Sequence, residues 1–204
     1  MNKYVEGTSD NFKKFFLFAE EYLKKHKIKL NIRPVKFLRD GGIKYGGSFD
    51  GDDRILKMAI GTDYVFQETF VHEFCHVQQF VEKSPLWDCA GSFFDDLNAK
   101  KVNLKSWECV WDLIQVERDC EARALRTVKK WDLMCPIGYA QRANIYLFYY
   151  QYAFVNRKWV NPKSLYQSII VEAMPKTIVP LSRLKKIDMR LMQLYDTYSN
   201  EKKV

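Results

Sequence analysis

Residues 72–76 read His-Glu-Phe-Cys-His, and this pentad constrains the fold more than any other feature of the chain. Positions four apart on an α-helix lie about 40° apart around its axis and one turn along it. A helix therefore turns the imidazoles of His72 and His76 towards a single point. Glu73 sits one step round, where it can polarise a water held at that point. Two neutral imidazoles suit zinc, and a catalytic zinc keeps one position open for water. The neighbouring pattern agrees. Phe70, Phe74, Val77 and Val81 form one apolar stripe, which predicts a helix over 64–81 ended by Ser84-Pro85.

A catalytic zinc needs a third protein ligand. The one remaining histidine, His26, lies in a basic run with Lys24, Lys25 and Lys27 and reads as solvated. The third ligand is then a carboxylate or a thiolate. A second helix is predicted over 106–130, with an apolar stripe through Val110, Ile114, Ala124 and Val128. Glu117 and Glu121 occupy the two intervening positions of that stripe. A carboxylate facing a core must be paired or bound to metal, because burying it bare costs several kcal/mol. Asp119 points about 160° from the 117–121 line and is a poor alternative. Cys120 lies beside the stripe and reads as packing.

Before the pentad the spacing predicts a helix from Asn11 to His26, capped by Ser9 or Asp10. Three short strands follow, over Ile28–Leu38, Ile43–Phe49 and Ile55–Ile60, separated by Gly41-Gly42 and Asp50-Gly51-Asp52-Asp53. Residues 85–105 are irregular, a long segment for a compact domain. After the 106–130 helix, Pro136 opens a helix to about Arg157. Asn161-Pro162 starts a short one broken at Met174-Pro175, and a last helix begins near Leu181.

The 204 residues are 47% hydrophobic and 15% aromatic, enough for a real core, so disorder is excluded as the main state. No apolar run approaches the roughly 18 residues of a membrane span, and none has the form of a signal peptide. A cytoplasmic protein without membrane contact is expected. The five cysteines are odd in number and contain no CxxC pair, so buried, reduced thiols are expected in place of a disulfide framework. Charge is uneven. Residues 1–125 hold 19 basic and 20 acidic side chains, whereas residues 126–204 hold 14 and 5. That excess is either a solvated surface or a face for nucleic acid or an acidic protein. The run Tyr146–Phe154, beside Arg142, Arg157 and Lys158, is either helix core or a platform for stacking bases.

The pattern His72-Glu73-x-x-His76 with Glu117-x-x-x-Glu121 resembles the zincin metallopeptidases of the gluzincin type. More loosely, the chain resembles small uncharacterised metallopeptidases carried by tailed phages. The first resemblance covers about residues 28–130. It implies that His72, His76 and Glu117 bind Zn2+, that Glu73 is the general base, and that Glu121 supports a histidine ligand from behind. It also implies an α+β, zincin-like fold: a small three-stranded sheet, the active-site helix, the glutamate helix and further C-terminal helices. Residues 1–130 would form the peptidase core and 131–204 a basic helical extension packed on it. The gap from His76 to Glu117 is longer than in compact gluzincins, which makes 85–105 an insertion over the site. No histidine follows His76, so the metzincin pattern is excluded, and Tyr139, Arg142, Tyr146 and Tyr149 are the candidates for stabilising an oxyanion. The expected activity is zinc-dependent hydrolysis of a peptide or protein, with substrate extended along a strand edge near Ile43–Phe49. The alternative is a zincin-like binding module with a non-catalytic metal, holding nucleic acid or an acidic protein through its basic C-terminal region.

Overall fold

Ser9 caps the first helix, α1 (Asp10–Lys25), its hydroxyl accepting from the Phe12 amide at 3.2 Å. The computed structural model describes residues 3–40, 43–61, 63–88, 106–157 and 165–200. The architecture is α+β, and the chain divides into two compact units. One comprises Met1–Trp87 with Arg126–Cys135, and the other Asp88–Leu125 with Pro136–Val204. No helix among the described residues is long and apolar enough to cross a membrane.

In the first unit, α1 buries Phe12, Phe15, Phe16, Ala19 and Leu23, the stripe its spacing predicts. These rings meet those of α2 (Asp63–Val81). Phe12 stands edge-on to Phe66 and Phe70, Phe16 lies 4.8 Å from Phe70, and Phe15 is edge-on to Phe74 at 5.6 Å. Fully burying one such ring stabilises by about 1.5–3 kcal/mol. The layer fixes both the position and the rotation of α2. The helix ends at Val81, the limit its spacing predicts, through a closure ahead of Ser84-Pro85. Lys83 adopts a left-handed conformation, φ 53°, and the Ser84 amide donates to the Gln79 carbonyl at 2.9 Å. That closure satisfies the last carbonyls of the helix one residue before the proline can act.

Five short strands lie between α1 and α2: β1 (Lys29–Arg33), β2 (Leu38–Asp40), β3 (Ile43–Tyr45), β4 (Gly47–Asp50) and β5 (Ile55–Ala59). The expected three-stranded sheet is present, in the order β1-β5-β4, with β1 parallel and β4 antiparallel to β5. Two of the expected strands are each split. Pro34 has no N–H to continue a ladder, so Ile28–Leu38 breaks after Arg33. At Gly46, Ile43–Phe49 breaks into β3 and β4, and β3 pairs with β2 in a separate ribbon. The chain turns there because the Gly46 carbonyl accepts from the Ala59 amide at 2.7 Å.

Strand β4 passes close over α2. A Cβ at Gly47 would lie 2.7 Å from Met58 Sδ, 2.9 Å from Glu73 Cγ and 3.0 Å from Thr69 Cγ2, closer than packed atoms tolerate. Only glycine lets the strand lie this low against the helix.

The second unit is helical among its described residues. It holds most of α3 (Trp107–Trp131), then α4 (Pro136–Asn156), α5 (Ser168–Ala173), α6 (Leu181–Leu184) and α7 (Met189–Asn200). Two fully buried amides of α4 hold the chain that follows α5. Asn144 donates to the carbonyls of Pro175 and Thr177 at 3.0 and 2.8 Å and accepts from the Val179 amide at 3.0 Å. Gln151 donates to the Leu184 carbonyl at 2.6 Å and accepts from the Asp188 amide at 3.3 Å. The helix expected from Leu181 is interrupted after one turn and resumes at Met189. The start expected at Asn161-Pro162 lies outside the described residues. The aromatic run is core: Leu147, Phe148, Tyr149, Tyr150 and Tyr152 are buried, and the Tyr152 hydroxyl donates to Asp196 at 2.7 Å. Of the cysteines, Cys75 and Cys120 are buried thiols and Cys109 is part-buried. Cys135 is exposed, contrary to expectation, because it sits just before Pro136 at a helix start. Cys89 is outside the described residues.

The crossing at Gly47 gives a direct test. Gly47→Ala overpacks it and should cost about 1–3 kcal/mol, read as a lower urea midpoint. Ser48→Ala, one residue on, should stay within about 0.5 kcal/mol. An unchanged midpoint for Gly47→Ala would mean that β4 does not lie on α2.

Candidate metal centre

Because the phenylalanine layer takes one side of α2, the other side carries Thr69, His72, Glu73, His76 and Phe80. The Nε2 atoms of His72 and His76 lie 3.1 Å apart, with the rings nearly perpendicular at 85°. Two bonds of 2.0–2.1 Å at a tetrahedral angle place donor nitrogens about 3.3 Å apart. The observed separation therefore fits two corners of one coordination sphere. Two imidazoles one helical turn apart supply two of the donors with which a borderline-soft divalent ion such as zinc is held.

The tautomer of His76 is set. Its Nδ1 lies 2.9 Å from the Gln79 Oε1, which can only accept. Nδ1 therefore carries the proton and Nε2 presents its lone pair towards His72. Glu73 is 9% exposed and lies under β4, its Cγ among the atoms that exclude a side chain at Gly47. Next to His76 stands Trp87, ring centroids 5.6 Å apart, and Trp87 in turn meets Phe49 at 5.6 Å and Phe80 at 6.2 Å. Such an apolar flank lowers the local dielectric and strengthens electrostatic interactions beside it.

Glu117 and Glu121 are buried as their stripe predicts, at 4% and 5% exposure. The Tyr139 hydroxyl donates to Glu121 Oε2 at 2.5 Å. Burial and then the Glu117 carboxylate push the hydroxyls of Tyr146 and Tyr150 well above the usual tyrosine range, so both stay protonated. Of the candidates for stabilising an oxyanion, Tyr139 is thus engaged by a carboxylate and Tyr149 is buried. Burial also lowers the pKa of Arg142. Asp119 turns to Arg123 at 2.8 Å, as its angle on the helix predicts. His26 packs against Tyr22, ring centroids 4.5 Å apart and tilted by 41°. Of the irregular 85–105 segment, residues 85–88 are helical and the remainder lies outside the described residues.

Sequence reasoning thus finds His72, Glu73 and His76, and misses two residues beside them. Gln79 carries a usable signal, since it lies one turn beyond His76 on the same helix face. Gly47 is half of a Gly-Gly pair inside a strand pattern, a mark of close backbone approach. The chain matches no family model, no curated protein and no solved structure.

The donor set can be read spectroscopically. Cobalt(II) added in place of zinc should give visible d–d bands without a thiolate charge-transfer band, and affinity should fall in Glu117→Gln. A near-ultraviolet charge-transfer band, lost in Cys120→Ser, would put the thiol in place of the carboxylate.

Proposed function

We propose that the protein is a zinc-dependent peptidase with a zincin-like active site. The observation that carries this reading is the pairing of His72 and His76 through Nε2 atoms 3.1 Å apart, with the Glu73 carboxylate one step round the same helix beneath an edge strand. A purely structural site has no need of an adjacent buried carboxylate. His72 and His76 hold the ion. Glu117 is the third ligand that the sequence pattern favours, with Cys120 as the thiolate alternative and Glu121, bonded to Tyr139, as the outer support.

Bound zinc supplies a Lewis acid that polarises a carbonyl and brings the pKa of a water near 7. Glu73 accepts the proton of the attacking water and delivers it to the departing amine. Its placement under Gly47 fixes the carboxylate where the strand passes. The substrate adds as an extended strand to β4, the edge of the three-stranded sheet, by main-chain hydrogen bonds. The expected docking segment thus narrows to Gly47–Asp50, since Ile43–Tyr45 belongs to the other ribbon. The Phe49, Phe80 and Trp87 rings beside His76 limit water near the reacting bond. A nucleic-acid-binding module receives less support, because the aromatic run that would stack bases is core.

Glu73→Gln keeps the shape and removes the base. Zinc content and melting temperature should stay at wild-type levels. Hydrolysis of a peptide library, read by mass spectrometry, should fall about 10²–10⁴-fold. Cleavage at the wild-type rate would remove Glu73 from the mechanism, and loss of zinc would make it a structural support.

A further inference from the structure

We infer that Gln79 is a positioning residue for the metal centre: it fixes the Nδ1–H tautomer of His76 and so readies Nε2 to bind metal. The inference rests on the metal site proposed above and deepens it. Gln79 is 0% exposed, an unusual place for a glutamine, and its Oε1 accepts from His76 Nδ1 at 2.9 Å. A buried amide is retained only where its polar atoms are bonded, and a leucine or methionine would fill the same volume without that demand. The geometry is also rigid. Both residues lie on α2, three positions apart, and the helix closes through the Gln79 carbonyl, which accepts from Ser84 at 2.9 Å. Backbone and side chain of Gln79 are therefore both held at the end of the helix.

The choice of an amide matters chemically. Metal-ligating imidazoles usually donate their second N–H to a carboxylate, a carbonyl or water, which sets the tautomer and raises ligand basicity. An amide sets the tautomer without adding a negative charge behind the ligand. His76 then donates less electron density than it would against a glutamate, and the bound ion keeps more of its Lewis acidity. Free histidine in water favours the Nε2–H form, so an enforced Nδ1–H form is a signature of this contact.

Three proteins test it: wild type, Gln79→Met, which keeps length and volume, and Gln79→Glu, which keeps the acceptor. Long-range ¹H–¹⁵N correlation spectra of the metal-free proteins report the tautomer of His76, and chelator competition reports zinc affinity. Wild type and Gln79→Glu should show Nδ1–H. Gln79→Met should shift towards Nε2–H and bind zinc about 10–100-fold more weakly, while Gln79→Glu binds at least as tightly as wild type. Nε2–H in metal-free wild type, or an unchanged tautomer and affinity in Gln79→Met, would overturn the inference. Should Gln79→Met fail to fold, Nε2–H or lost affinity in Gln79→Glu would overturn it as well. A wild type that holds Nδ1–H through Gln79 yet takes up no zinc would uphold the tautomer contact and sink the metal reading instead.

Discussion

Helix α2 is held from two sides, and the candidate site depends on that clamp. Behind it lie the rings of Phe12, Phe15 and Phe16, packed on Phe66, Phe70 and Phe74. In front of it passes β4, with Gly47 low enough to touch Glu73 and Thr69. An isolated helix of this length would be marginal in water and free to rotate. Packed this way, it has one rotation, in which His72, Glu73 and His76 all face away from the phenylalanine layer. Hydrophobic burial on one side thus sets the aim of polar groups on the other.

The polar side of α2 is economical in charge. His76 is oriented by a neutral amide, and its neighbour Trp87 is an uncharged ring. Glu73 is the buried carboxylate that follows His72 directly on the helix. In the second unit the pattern differs. Two buried glutamates, Glu117 and Glu121, are accompanied by tyrosines, one donating directly to Glu121 and two kept protonated by burial and by Glu117. Buried carboxylates are tolerable there because phenolic donors replace water.

Legibility from sequence follows the range of the interactions. Helices α2 and α3 are readable because 3.6-residue periodicity is local, and the burial of Glu117 and Glu121 follows from the same wheel. The three-stranded sheet is readable in outline. Its strand limits are not, because Pro34 and the carbonyl bond at Gly46 cut two apparent strands. The pentad identifies His72, Glu73 and His76 through spacing alone. Gln79 shares a helix with His76, yet its full burial is invisible in a sequence where glutamine usually marks a surface.

Everything chemical in this account depends on whether the two histidines hold an ion. The direct measurement is elemental analysis of the purified protein by inductively coupled plasma mass spectrometry, before and after dialysis against zinc, beside His72→Ala and His76→Ala. The account predicts about one zinc per wild-type chain and none held stoichiometrically by either variant. A wild type that contains no zinc and takes none up on titration, or a His76→Ala protein that retains it fully, would contradict the account.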